Sequence, residues 1–96
     1  MAYDPGAIDA TLAAAVGEDP GLIAELRLAF LESAERCVAA LRTAPSDAAW
    51  QAAARRLKGL AASFGAVRLM ALAEELAGAA PDPRLLARVE RAIARF

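Results

Sequence analysis

Arg55, Arg56 and Lys58 stand together in the stretch AAARRLKGLAASFGA, residues 52–66, with Gly59 directly after them. Cations packed this closely are suited to holding anions, because guanidinium can form paired hydrogen bonds to phosphate or carboxylate. They are poorly suited to covalent chemistry. A guanidinium group stays protonated and has no free lone pair with which to attack a phosphoryl group. The chain contains no histidine, and Ser63 is the only hydroxyl near the cluster. No metal-ligand cluster, nucleophile–base pair or phosphate-cradling glycine loop accompanies it. The expectation is recognition rather than turnover, with no catalytic residue, cofactor or metal. From Ala48 to Ala73 the ionisable side chains are Arg55, Arg56, Lys58 and Arg68, and no carboxylate occurs among them. Such a run reads either as a solvated helix face or as a surface for a partner.

The elements that must carry these residues are marked by regular punctuation. Asp4-Pro5, Asp19-Pro20 and Asp82-Pro83 each place a helix-capping aspartate before a proline at the first helical position. Aspartate accepts a hydrogen bond from a free backbone N–H there, and proline lacks only a donor that would be unpaired anyway. Ser46 or Asp47, after Pro45, marks a fourth start. Gly17, Gly65 and Gly78 are the expected stops, since glycine adopts the left-handed conformation that closes many helices. These marks predict helices over about 5–16, 20–43, 46–64, 67–79 and 83–95. No segment alternates as a strand would.

Periodicity assigns the buried faces. Ile23, Leu26, Phe30, Ala34, Cys37 and Leu41 form one stripe of the second segment, so Cys37 reads as a small buried hydrophobe rather than a reactive thiol. Trp50, Ala53, Ala54, Leu57, Leu60, Ala61 and Phe64 fall within roughly 120° of one another on the third. Leu69, Leu72, Ala73 and Leu76 line the fourth; Leu86, Val89 and Ile93, with Leu85 and Phe96 near them, line the fifth. Four amphipathic helices with short connections are best satisfied as an antiparallel four-helix bundle, with the first short helix capping one end. The expected fold class is all-α, a single domain over residues 1–96.

The opposite face of the third segment is unusual. Ala48, Gln51, Ala52, Gly59 and Ala62 lie within about 60° of Arg55, and Lys58 sits at the edge. One long cation is thus surrounded by small residues. Glycine in mid-helix costs roughly 1 kcal/mol relative to alanine. A tolerated accident or close packing of a neighbouring helix could account for Gly59, but its place on the outward side favours clearance for another macromolecule.

The run ARRLKGLAASFGAVRLMALAEEL resembles the signature of histidine-phosphotransfer (HPt) domains, in which A-H-x-L-K-G is followed by small residues, G-A and a leucine-spaced helix. Ala54, Leu57, Lys58, Gly59, Gly65, Ala66, Leu69 and Leu76 carry the match. It extends to the Asp19-Pro20 start, the LRLAFLESAERCVAAL helix and the Ser46 restart. The resemblance implies a four-helix bundle of HPt type that docks response-regulator receiver domains through its third helical segment. It also implies that Lys58 lies near the phosphoryl oxygens and that Gly59 gives clearance. The departure falls three residues before Lys58, where Arg55 stands in place of the phosphorylatable histidine. The expectation is therefore a pseudo-HPt protein of phosphorelay signalling that binds a receiver without accepting phosphate. Its docking surface would comprise Gln51, Ala52, Arg55, Arg56, Lys58, Gly59 and Ala62. The alternatives are a phosphorelay protein whose histidine has been altered, and a helical adaptor for a partner unrelated to receivers; the adaptor leaves Lys58 and Gly59 without a role.

Composition limits the remaining choices. With 96 residues, 58% of them hydrophobic, the chain is long enough to bury a core without metals or disulfides. A net charge of −1 argues against nucleic-acid binding, which needs a basic field over an extended surface. No apolar run approaches the ~18 residues of a membrane span, and the N-terminus lacks the order of a signal peptide. One cysteine suits a reducing cytoplasm. The partners expected are a receiver domain first and a sensor kinase second, met by a cytoplasmic protein that is a monomer rather than an oligomer.

Overall fold

The structure, a computed structural model, describes residues 19–96. It holds four helices: α1 (Pro20–Arg42), α2 (Asp47–Ser63), α3 (Val67–Ala77) and α4 (Pro83–Ala94). The capping helix expected over about 5–16, with the Asp4-Pro5 start and the Gly17 stop, lies outside the described residues.

The helix starts follow local chemistry. The Asp19 carboxylate accepts from the Gly21 and Leu22 amides, and the Asp82 carboxylate from those of Arg84 and Leu85. At α2 the choice falls on Ser46, whose hydroxyl accepts from the Ala49 amide, and Asp47 becomes the first helical residue. The stops differ from one another. Gly65 has a φ of 70°, and the Ala66 amide donates back to the Ala61 carbonyl at 2.9 Å while the Gly65 amide reaches that of Ala62. This pair of bonds is the Schellman closure that favours glycine. Gly78 closes α3 with a φ of −90°, so the left-handed geometry expected there is absent. Its amide instead bonds the Glu74 carbonyl at 3.1 Å, a helical hydrogen bond open to any residue but proline.

Each helix packs on its neighbours in sequence, and α4 returns against α1 to close the bundle. Adjacent helices run antiparallel. The Trp50 indole N–H, near the start of α2, donates to the Leu76 carbonyl at the end of α3, at 2.8 Å and fully inside the protein. Phe96, beyond the end of α4, meets Phe30 in mid-α1 edge-on, with ring centroids 4.8 Å apart, and Phe30 in turn meets Phe64 at 5.0 Å. Among the described residues, all twenty buried hydrophobic side chains belong to one core cluster. No strand occurs among the described residues, and no helix there is long and apolar enough to cross a membrane.

The angular reading of the core holds with two adjustments. Trp50 and Leu57 are buried, whereas Leu60 and Phe64 are half-buried and packed against the core. Leu60 lies at the edge of its stripe, and Phe64 sits past the last helical turn at one end of the bundle. In α1, Ile23 and Leu26 are likewise half-buried, while Val38, outside the expected stripe, is buried. Val38 borders the groove between α1 and α4 together with Ile93, and at about 40° from Ala34 around the helix it widens the buried stripe.

Candidate functional site

Helix α2 presents its cations because its other face is committed. Ala54, Leu57 and Ala61 have no solvent exposure, which fixes the rotation of the helix about its axis. At about 100° per residue, that rotation turns Arg55 outward. Arg55 and Arg56 are exposed, as are Ala52, Gly59 and Ala62; Gln51 and Lys58 are half-exposed at the flanks. The seven residues grouped from sequence are thus all solvent-accessible, with Arg55 between Ala52 on the turn before it and Gly59 on the turn after.

Gly59 answers the packing question directly. Among the described residues, a methyl group built at its Cα would meet no atom within 4 Å beyond its chain neighbours and the helix's own backbone. Its helical backbone also has no positive φ. Neither internal packing nor backbone conformation therefore requires glycine here. The hydroxyl of Ser63, one turn later, donates to the Gly59 carbonyl at 3.0 Å. That bond commits the hydroxyl to the helix backbone.

Lys58 is not solitary. Its ammonium group lies 3.7 Å from the Glu74 carboxylate of α3, with both side chains substantially exposed. Pairs of this kind are worth about 0–1 kcal/mol and are screened by salt. Glu74 is therefore a removable partner rather than a lock, and Lys58 can turn to another anion at little expense. Sequence reading missed Glu74, although one signal was present: it is the first carboxylate after the acid-free run that ends at Ala73. Arg55 and Arg56 have no ion-pair partner among the described residues. There is also no group of three or more histidine, cysteine or acidic side chains placed to hold a metal ion among them.

A small, cation-bearing helix face on a four-helix bundle is a geometry that several families could share, so comparison with known families decides. The model of the Hpt domain matches residues 25–96, from early in α1 to the last residue. The chain belongs to the Hpt-domain family. Hpt domains are phosphotransfer carriers of phosphorelay signalling rather than enzymes, and they interact with other phosphorelay components such as response regulators. Neither curated proteins nor solved structures give a match to this chain. In this Hpt domain the matched region includes all of α2, α3 and α4, and with them both the exposed face and the Lys58–Glu74 contact.

Proposed function

We propose that this Hpt domain docks the receiver domain of a response regulator through the exposed face of α2 and does not accept a phosphoryl group from it. Arg55 occupies the position of the phosphorylatable histidine, three residues before Lys58. The observation that carries the reading is Gly59: a mid-helix glycine with open space around it, one turn after an exposed arginine. Clearance for a partner explains that glycine, where packing and backbone geometry do not.

The chemistry follows from the charge. A receiver's phosphorylation pocket is acidic, and a guanidinium group placed against it sets a permanent cation beside carboxylates or phosphoaspartate. Bidentate hydrogen bonds then give orientation as well as attraction. No proton leaves Arg55 and no lone pair is offered, so the encounter ends in binding. Such a domain sequesters a receiver, shields it from its phosphodonor or competes with a phosphate-accepting Hpt protein. An adaptor role unrelated to receivers is less well supported, because it gives the open glycine no purpose.

The test combines transfer with titration. Incubated with a receiver carrying labelled phosphate, the protein takes up no label, while calorimetry or NMR shows it binding the same receiver. Acid-labile, base-stable label on the protein would refute the loss of acceptor function. An Arg55→His variant checks the positional assignment: it restores an imidazole three residues before Lys58 and is expected to gain label. If that variant docks yet stays unlabelled, Arg55 is not at the acceptor position.

A further inference from the structure

Four arginines from two helices converge on one cleft. Arg68 of α3, Arg88 and Arg91 of α4 and Arg95 at the α4 C-cap line a depression of about 210 Å³, together with Leu72 and Ala92. The two apolar residues are buried and the four arginines exposed. Among the described residues, no carboxylate borders the cleft and none of the four guanidinium groups has an ion pair. The groove between α1 and α4 provides a contrast. It too contains an arginine, Arg42, but there Glu90 meets it at 2.7 Å.

Incidental causes account for only part of this cluster. Arg91 in the last turn of α4 and Arg95 at its C-cap complement the negative end of the helix dipole. Arg88 lies a turn earlier. Arg68 is the second residue of α3, where the dipole is positive and a cation is disfavoured. That helix start has no acidic residue in its first turn and no side-chain cap to offset the charge. A simple basic stripe on α4 is also insufficient as an explanation. Arg84 lies within about 60° of Arg88, Arg91 and Arg95 around the helix, yet it does not border the cleft. The arrangement joins Arg68 of a second helix to three arginines of α4 around one depression.

We infer that this cleft binds a compact polyanion bearing two or more phosphoryl groups, of the kind found in pyrophosphate or the diphosphate portion of a nucleotide. Guanidinium groups are well matched to such oxygens, since each offers donors in a fixed fork. The cleft falls below the ~300–1,000 Å³ of sites for drug-sized ligands, which favours a small anion. Nucleic acid fits less well, because Glu74 and Glu75 further along α3 break up the basic field that a long polyanion needs. An extended acidic peptide would engage the α4 stripe including Arg84, whereas the convergence with Arg68 omits it. The site shares no residue with the proposed receiver-docking face and stands whether or not that reading holds.

Calorimetric titration with pyrophosphate, tripolyphosphate, ATP and AMP, at near-physiological salt, tests the inference. Saturable binding of one equivalent of pyrophosphate or tripolyphosphate is expected, with AMP much weaker. Equal affinity for ATP and tripolyphosphate means that the phosphate chain alone is recognised; tighter binding of ATP identifies a nucleotide ligand. Arg68→Gln and Arg91→Gln should each weaken binding about tenfold or more, as loss of a charge-assisted hydrogen bond does. Arg84→Gln should leave it unchanged. Circular dichroism verifies that each variant is folded. Absence of saturable binding, an equal loss from Arg84→Gln, or tighter binding of a polyglutamate peptide or DNA than of tripolyphosphate would each overturn the proposal.

Discussion

On the proposed docking role, Gly59 sets stability against recognition at a single residue. Alanine there should raise stability by about 0.5–1 kcal/mol, because it removes backbone freedom from the unfolded chain and its methyl group meets nothing. A thermal melt is expected to move up by several degrees, about 4–8 °C per kcal/mol in a domain of this size. Gly59→Leu should also fold, yet lose affinity for a receiver, since its side chain would project into the space that the proposed docking requires. Unchanged binding by Gly59→Leu would leave the residue without a docking role. Arg55 adds a test of sign: Arg55→Glu should weaken binding more than Arg55→Ala, because a carboxylate would then face the receiver's acidic pocket. That difference should vanish when the receiver's acidic residues are neutralised. The outward placement of both residues was legible in the sequence because helix periodicity separates faces without tertiary information. The Lys58–Glu74 contact was not. It joins residues sixteen positions apart on different helices, and only the packing of α3 on α2 brings them together.

Elements show the same division between local and long-range causes. Asp19, Ser46 and Asp82 act on amides two or three residues away, so their roles can be read from neighbouring residue types. Gly65 was legible for the same reason, since its left-handed backbone closes a helix locally. Gly78 was misread as to geometry because glycine permits that conformation without requiring it. The two stops therefore predict different mutational outcomes. Gly65→Ala should destabilise the protein by about 1–2 kcal/mol, the penalty of a Cβ in left-handed backbone. Gly78→Ala should be nearly neutral, as its Cβ would make only ordinary contacts, 3.7 Å from the Glu74 carbonyl oxygen and 3.8 Å from that of Glu75. Denaturant unfolding of the two variants decides, and equal losses would contradict the distinction. Leu60 and Phe64 show a further limit. Periodicity gives direction about the helix axis but not the reach of the neighbouring helices, so it assigned full burial to residues at the edge and end of the core.

At the scale of the whole molecule, one core ties the four helices together, and its sole tryptophan is well placed to report on it. Trp50 is 3% exposed and joins α2 to α3 through its indole N–H. Its fluorescence should follow loss of the core, while circular dichroism follows loss of helix. The two transitions are expected to coincide, as in other small domains that unfold in a single step. Separate midpoints would show that part of the bundle melts independently. Trp50→Phe should lower stability by about 1–3 kcal/mol, because it leaves the buried Leu76 carbonyl without its donor as well as removing volume. Circular dichroism must then serve as the probe for that variant.

Charge is distributed over this bundle in separate sets, which makes their independence measurable. Arg55 and Lys58 belong to the face of α2, whereas Arg68, Arg88, Arg91 and Arg95 gather between α3 and α4. If each set serves its own ligand, Arg55→Glu should abolish receiver binding and spare binding of tripolyphosphate. Arg91→Gln should do the reverse. The double variant should then show each single effect, with coupling no larger than the ~0.3–0.5 kcal/mol expected for independent sites. A generally positive surface behaves differently, since any loss of charge weakens both ligands together and raised salt weakens them in parallel. Sequence alone could not separate these cases. Arg68 is twenty residues from Arg88 in the chain, and the cleft arises only when α4 packs along α3. Calorimetry on the three variants with both ligands distinguishes the alternatives: crossed losses establish two sites, and proportional losses reduce the cleft and the docking face to one diffuse field.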